Sequence, residues 1–307
     1  MIKQRRYDIL SDFQKVYYFL QETYDLETLN SYLLPPYWEY AHYLKWFDHM
    51  RTHRMGLWEE NDTLVGVAVY EMEIGKSHLH TRKGYEHLLP EMLEWAEAEL
   101  YVKKQNDSPD EEAKPHSMLG IWITSNEPDK RDLLISKGYE LVWQDPIKIV
   151  FYDEPFVESK LPEGFHLIDG WQVDYKKLAD CFWRGFENGE DPEEGAPEEA
   201  TEWNMKLANV SRNDKNLTTI VVAPNGEYAC ALGMWYDPMN QYAYLEPLAT
   251  VPKYRRMGLA KHALVTAMEK TKKLGATYCE TGGGVFYDSV NAKHVCNREL
   301  WERKVAL

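Results

Sequence analysis

A chain of 307 residues is longer than an ordinary single domain of ~100 to 200 residues, so two domains are expected. Hydrophobic residues make up 44% and aromatic residues 13%, enough to fill cores of that size, which excludes disorder as the main state. Acidic residues outnumber basic ones 50 to 35, and the net charge of -15 speaks against a nucleic-acid partner while favouring a cationic small molecule or peptide.

The N-terminal MIKQRRYDILSDFQ has no apolar signal core, and no apolar run approaches the ~18 residues of a membrane span. Cys181, Cys230, Cys279 and Cys296 are widely spaced, with no C-x-x-C pair and no His/Cys spacing suited to a metal. A cytoplasmic protein without metal and without membrane association is expected.

In chain order, Phe13, Val16, Tyr17 and Leu20 define a helical face, Pro35-Pro36 interrupts it, and Tyr40, Tyr43, Leu44 and Phe47 define a second. Met55 to Glu59 and Leu64 to Glu71 flank Asn61-Asp62 as a hairpin. A helix from Tyr85 to Leu100 follows, then a polar stretch from Lys103 to Ser117 that reads as a surface loop. Met118 to Thr124 is a strand, Asp129 to Lys137 a helix stopped by Gly138, and Lys148 to Tyr152 another strand. Glu154 to Gly164 carries two prolines and mixed charges, as a linker or an exposed crossing strand would.

The second half repeats the order. Phe165 to Ile168 is a short strand, Lys176 to Phe186 and Glu198 to Val210 are helical, and Thr218 to Val222 with Glu227 to Tyr236 form a hairpin across Pro224-Asn225-Gly226. After the turn signal Asp237-Pro238-Met239-Asn240, a strand begins at Tyr242. From Ala260 on, Ala263, Leu264, Ala267, Met268 and Leu274 keep helical spacing up to Gly275. A strand at Ala276 to Glu280 and a terminal segment complete the chain.

Between that strand and helix lies Arg255-Arg256-Met257-Gly258-Leu259-Ala260. The first N–H groups of a helix lack internal partners and carry partial positive charge, and Gly258 has no side chain to block a ligand. An anion as large as a diphosphate fits there; an ordinary strand-to-helix connection with solvated arginines is the alternative.

Thr250-Val251-Pro252 followed by Arg255-x-x-Gly258-x-Ala260 resembles motif A of the GNAT superfamily of acyl-CoA N-acyltransferases. The resemblance implies an α/β fold with a mixed, mostly antiparallel twisted sheet flanked by helices. It implies that Arg256, Met257, Gly258, Leu259, Ala260 and Lys261 hold the coenzyme diphosphate, with Arg255 beside them among the coenzyme-binding residues, and that Leu248, Ala249 and Thr250 hold the thioester arm of acetyl-CoA. The repeated element order implies two such domains, 1–155 and 156–307. In the first, Leu79 to His87 keeps one arginine and one glycine at the wrong spacing, so this copy is expected not to bind coenzyme A. Its Leu133 to Glu140, with Gly138-Tyr139, still resembles the family's closing element.

Acyl transfer to an amine needs a base for the ammonium and an acid for the departing thiolate. Pro247 has no N–H, so strand pairing must fail there at an edge or a bulge. Glu246 precedes it and is the candidate base if alternation holds, with Asp237 and Glu280 as competitors. In Phe286-Tyr287-Asp288-Ser289-Val290-Asn291-Ala292, Tyr287 matches the family's Y-x-x-x-G-F and is the candidate acid by that resemblance. Asn291 can keep the left-handed turn, but Ala292 loses the aromatic anchor. Gly282-Gly283-Gly284 reads as a turn leading to Tyr287, because it lacks the lysine and hydroxyl of a phosphate loop. Glu187, Glu190 and Asp191 lie in an acidic run that either draws a cationic amine or is merely solvated. Besides an N-acetyltransferase acting on a small-molecule or peptide amine, a non-catalytic acyl-CoA sensor and a nucleotide-binding protein remain open.

Overall fold

The computed structural model describes residues 1–104, 116–189, 191 and 195–305. The chain divides into two compact units, Met1–Pro146 with Cys296–Leu307, and Ile147–Val295. Most of the polar stretch expected as a loop after Lys103 lies outside the described residues.

The first unit runs β1 (Ile2–Arg6), α1 (Ile9–Glu22), α2 (Pro35–Tyr43), β2 (Gly56–Glu60), β3 (Thr63–Tyr70), β4 (Lys76–Thr81), α3 (Leu89–Glu99), β5 (Val102–Lys104), β6 (His116–Thr124) and α4 (Pro128–Ser136). The strand β7 (Glu140–Phe151) carries the chain into the second unit. Asp8 caps α1 by accepting from the N–H groups of Leu10 and Ser11, and the Asn61-Asp62 turn closes the β2–β3 hairpin with both residues at positive φ. β1 through β4 pair antiparallel in sequence, whereas β4 and β6 run parallel. Val16, Leu20, Trp38, Val67, Val69, Met92 and Ile121 form one buried core.

Several charged and polar groups sit inside this unit. Burial alone would push the Glu71 carboxyl up, but the charges of Arg298 and His78 outweigh it and hold the group at about 2. Arg298 Nη2 bonds Glu71 Oε1, and its guanidinium lies 3.9 Å from the Trp122 ring centroid. His42 gives Nδ1–H to the Trp38 carbonyl (2.7 Å), and burial pulls its imidazole down to about 3. His80 meets Thr23 Oγ1 at 2.8 Å and is pulled down by burial as well.

An imidazole depressed in the folded state adds stability that is complete above its unfolded pKa of about 6.5 and fades as pH falls toward the folded value. Glu71 acts in the same sense lower down, between about 4.5 and about 2. Tryptophan fluorescence followed from pH 7 downward should therefore show the first unit losing stability from about pH 6.5, well before the carboxylates titrate. His42→Phe should flatten the upper part of that decline.

The second unit continues with β8 (His166–Asp169), α5 (Tyr175–Gly185), α6 (Glu198–Leu207), β9 (Thr219–Val222), β10 (Tyr228–Asp237), β11 (Tyr242–Thr250), α7 (Leu259–Leu274), β12 (Tyr278–Glu280) and β13 (Lys293–Val305). From Cys296 on, the last strand belongs to the first unit, where Arg298 to Val305 pair with Thr124 to Ser117. Within the second unit the strand order is β7-β12-β11-β10-β9-β8, antiparallel except for β11 beside β12. Ala263, Leu264, Ala267 and Met268 of α7 pack on Ala243, Leu245, Cys230 and Cys279. The segment 155–162, expected as a linker or crossing strand, has no regular structure, and its Phe156, Val157 and Leu161 pack against that core.

Candidate active site

Two parallel strands that stop pairing part way create a gap in each unit. In the second unit β11 pairs β12 only from Tyr242 to Tyr244, opposite Tyr278 to Glu280. Beyond that point β11 bulges: Glu246 and Pro247 together oppose Gly233 of β10, since Leu232 faces Leu248 and Met234 faces Leu245. Gly233 is required there, because a Cβ would lie 2.6 Å from the Glu246 carbonyl oxygen. The bulge realises the pairing failure that Pro247 predicts, and it resets alternation. Leu248 therefore joins Ala243 and Leu245 against α7, and it no longer shares a face with Glu246.

From Thr250 the chain turns through Pro252–Tyr254 into the loop before α7. Arg256 (φ 66°) and Gly258 (φ 80°) are both left-handed, an arrangement that turns successive N–H groups to a common side. Gly258 caps α7 with no side-chain hydrogen bond, and a Cβ on it would meet nothing within 4 Å. The uncapped amides at the start of α7 thus open onto free space.

Tyr287 closes the site from the other side. It lies in a short 3-10 turn, Val285–Val290, which ends at left-handed Asn291 (φ 63°, ψ 28°), while Ala292 packs against the core. The turn expected at Asn291 is formed, and Ala292 N–H donates to the Tyr287 carbonyl (3.2 Å). The glycine triad is the turn into this element: Cβ atoms on Gly282 and Gly284 would sit 3.9 and 3.6 Å from the Tyr287 ring. Burial, and then the charges of Glu280 and Glu246, push the Tyr287 hydroxyl well above the usual phenol range. It stays protonated throughout the neutral range.

These pieces share one cleft of ≈830 Å³, lined by Leu248, Thr250, Arg255, Arg256, Gly258, Leu259, Ala260, Lys261 and Tyr287 of the sequence-predicted set. Met257 is in the same loop, 40% exposed, and Ala249 is buried beneath Gly185. Glu246 does not line the cleft, although its charge reaches Tyr287. Asp237, a competitor for the base, is fully buried and accepts from the N–H groups of Met239 and Asn240, so it holds the β10–β11 turn. Glu280 is also buried and accepts from Gly282 N–H (2.9 Å). Of the acidic run, Glu187 is ion-paired with Arg255, Asp191 is exposed, and Glu190 lies outside the described residues.

The wall that sequence reasoning missed comes from α5. Gly185 and the half-exposed Phe186 line the cleft, as do Tyr254, Val285, Phe286 and Ser289. The one local signal was a glycine at the end of an amphipathic helix: a Cβ on Gly185 would come within 2.7 Å of the Ala249 Cβ, so this helix end rests directly on β11.

The first unit treats the equivalent features differently. β4 and β6 pair from Lys76 to His78 and then part, but Leu29 to Tyr32, four consecutive residues at positive φ, fill the gap. His78 Nδ1 lies 3.2 Å from the Ser31 carbonyl oxygen, Thr124 Oγ1 donates to the Thr28 carbonyl (3.3 Å), and Leu29, Asn30 and Ser31 are fully buried. At the loop after β4 the Gly84 N–H already meets the Glu86 carboxylate at 2.9 Å, and Arg82 is tied to Glu22. An incoming anion would find that amide taken.

Residues 175–298 match the model of the acetyltransferase (GNAT) family. No curated protein matches the chain by sequence. Among solved structures, the chain is similar to a tandem GNAT protein from the clavulanic acid biosynthesis pathway, at TM-score 0.60 and 9% identity over 100% of this chain and 99% of that one. A GNAT-family acetyltransferase from Colwellia psychrerythraea gives TM-score 0.58 at 12% identity over 99% and 100% of the two chains. A GCN5-related N-acetyltransferase from Sphaerobacter thermophilus gives TM-score 0.56 at 14% identity over 100% and 96%. At these identities the likeness is one of fold.

Proposed function

Because residues 175–298 carry a domain of the acetyltransferase (GNAT) family, we propose that the protein is an acetyl-CoA-dependent N-acetyltransferase working through the cleft of the second unit. The observation that carries this reading is a single cleft that joins the uncapped start of α7, the bulged end of β11 and the Tyr287 hydroxyl. The amides from Arg256 to Lys261, with the side chains of Arg256 and Lys261, hold the diphosphate of the coenzyme. The backbone at Leu248 to Thr250, which pairs with β10 on one side and lies beyond the stretch of β11 that pairs with β12 on the other, holds the thioester arm. The coenzyme supplies the activated acetyl group.

An amine attacks the carbonyl carbon directly in a ternary complex, forming the C–N bond as the C–S bond breaks. Tyr287 gives its phenolic proton to the departing sulfur, and the ammonium proton leaves through water toward Glu246, which lies outside the cleft lining and is not in direct reach of the amine. The raised Tyr287 hydroxyl is still protonated when the thiolate forms, and so has a proton to give. Glu246 and Glu280 set a negative field in front of Tyr287 that draws a cationic amine into the site, and Asp191 adds to it at the surface. The first unit, with its gap filled and its loop amide taken by Glu86, binds no coenzyme.

Release of free thiol from acetyl-CoA, followed across an aminoglycoside, a polyamine and a peptide N-terminus, tests the reading. Turnover with at least one of them, weakening as salt is raised, is expected. Tight coenzyme A binding with no thiol released by any amine would favour a non-catalytic acyl-CoA sensor instead.

A further inference from the structure

Arg255 belongs to the motif assigned to the diphosphate, yet its side chain is committed elsewhere. Nε donates to the Thr250 carbonyl (3.2 Å), Nη2 to the Gly185 carbonyl (2.9 Å), and Nη1 to the Glu187 carboxylate. Three separate protein oxygens, from the end of β11 and from the end of α5, are thus held by one planar fork. By contrast, the side chains of Arg256 and Lys261 have no hydrogen bond or ion pair among the described residues.

The segment that Arg255 grips is the cleft wall itself. Gly185 packs so closely on Ala249 that a Cβ would also lie 3.3 Å from the Thr250 nitrogen. Glu187 is held at φ 56°, a left-handed conformation that is unfavourable for a residue with a side chain and that its contact with Arg255 helps to offset. The ion pair is exposed on both sides, with side-chain accessibilities of 44% and 62%. Such a pair is weak and reversible, so it suits a contact that has to open and close rather than one that holds the fold together.

We propose that Arg255 is a latch and a positioning residue, not a phosphate ligand: it ties the α5 end, Gly185 to Glu187, to the thioester end of the cleft. Occupancy of the loop 256–261 is thereby transmitted to the α5 end that lines the same cleft. The inference rests on the coenzyme reading of the cleft.

Hydrogen exchange of the amides from Gly185 to Asn188, with and without saturating coenzyme A, tests it alongside calorimetric affinities. In the unmodified protein the coenzyme should slow exchange there by about fivefold or more, the factor that a coupling of about 1 kcal/mol gives. Arg255→Gln and Glu187→Gln should each abolish that slowing while the coenzyme A Kd stays within about threefold of the unmodified protein, since neither side chain touches phosphate. Arg255→Lys should restore only part of it, because an ammonium cannot span three acceptors in one plane. A loss of coenzyme affinity of about tenfold or more in Arg255→Gln, with protection intact in Glu187→Gln, would overturn the latch and make Arg255 a phosphate ligand. Should the unmodified protein bind no coenzyme A, the coenzyme reading and the coupling both fall. The tie between Arg255 and the α5 end then stands or falls on faster exchange at Gly185 to Asn188 in ligand-free Arg255→Gln.

Discussion

Tyr287→Phe is expected to lower kcat by about 10² to 10⁴-fold, the range for losing a positioned general acid, while the coenzyme A Kd changes by less than about threefold. The ring is retained, and it is the ring that packs against Gly282 and Gly284, so the turn Val285–Val290 should keep its shape. Only the hydroxyl is lost. Because burial and the charges of Glu280 and Glu246 raise that hydroxyl above its ordinary value near 10, the unmodified protein should show no alkaline fall in kcat from this group through about pH 10. Steady-state kinetics with acetyl-CoA and the best amine, set beside calorimetry with coenzyme A, separates the two quantities. Equal activity in the variant would remove Tyr287 from the chemistry and give the proton to water.

The second large effect is expected at Gly258. Valine there must adopt φ near 80°, which is a steric outlier for a β-branched residue and costs about 1 to 2 kcal/mol locally. The fold should tolerate it, since a Cβ at this position meets nothing within 4 Å. The ligand should not. The added side chain projects where the diphosphate approaches, and the strain tilts the amides of Leu259 to Lys261. Losing one to two charge-assisted hydrogen bonds, at about 1.5 to 3 kcal/mol each, raises the coenzyme A Kd by about 100-fold. Thermal unfolding without ligand should move by only a few degrees, and stabilisation by added coenzyme A should vanish. An unchanged affinity would mean that the phosphates lie away from this helix start.

The strand, loop and helix from Tyr242 to Gly275 were legible because every signal in them is local: a turn before, a glycine at each end of α7 and one apolar face between. Asn291 was legible for the same reason, since a left-handed turn is a property of one residue. Elsewhere the determinants are distant. The strand β4, KSHLHT, shows no apolar alternation, because His78 and His80 are buried there by partners that include Ser31 and Thr23, which no window around residue 78 contains. The terminal strand β13 could not be assigned from its own residues either, as it pairs Arg298 with Thr124. Glu246 was set on the cleft face by alternation unless a bulge intervened. The bulge is there, and Gly233 on the neighbouring strand permits it. Asp237 has the composition of a catalytic carboxylate but holds a turn, a difference visible only in its hydrogen bonds. The α5 wall at Gly185 and Phe186 was hidden because a helix end reveals its neighbour only in three dimensions.

Titration calorimetry of the intact protein with coenzyme A, repeated on Gly258→Val, bears most directly on the central claim that the start of α7 holds the coenzyme diphosphate. One coenzyme per chain, with binding lost in the variant, is the predicted outcome. Absence of heat in the unmodified protein, or two coenzymes bound per chain, would contradict it.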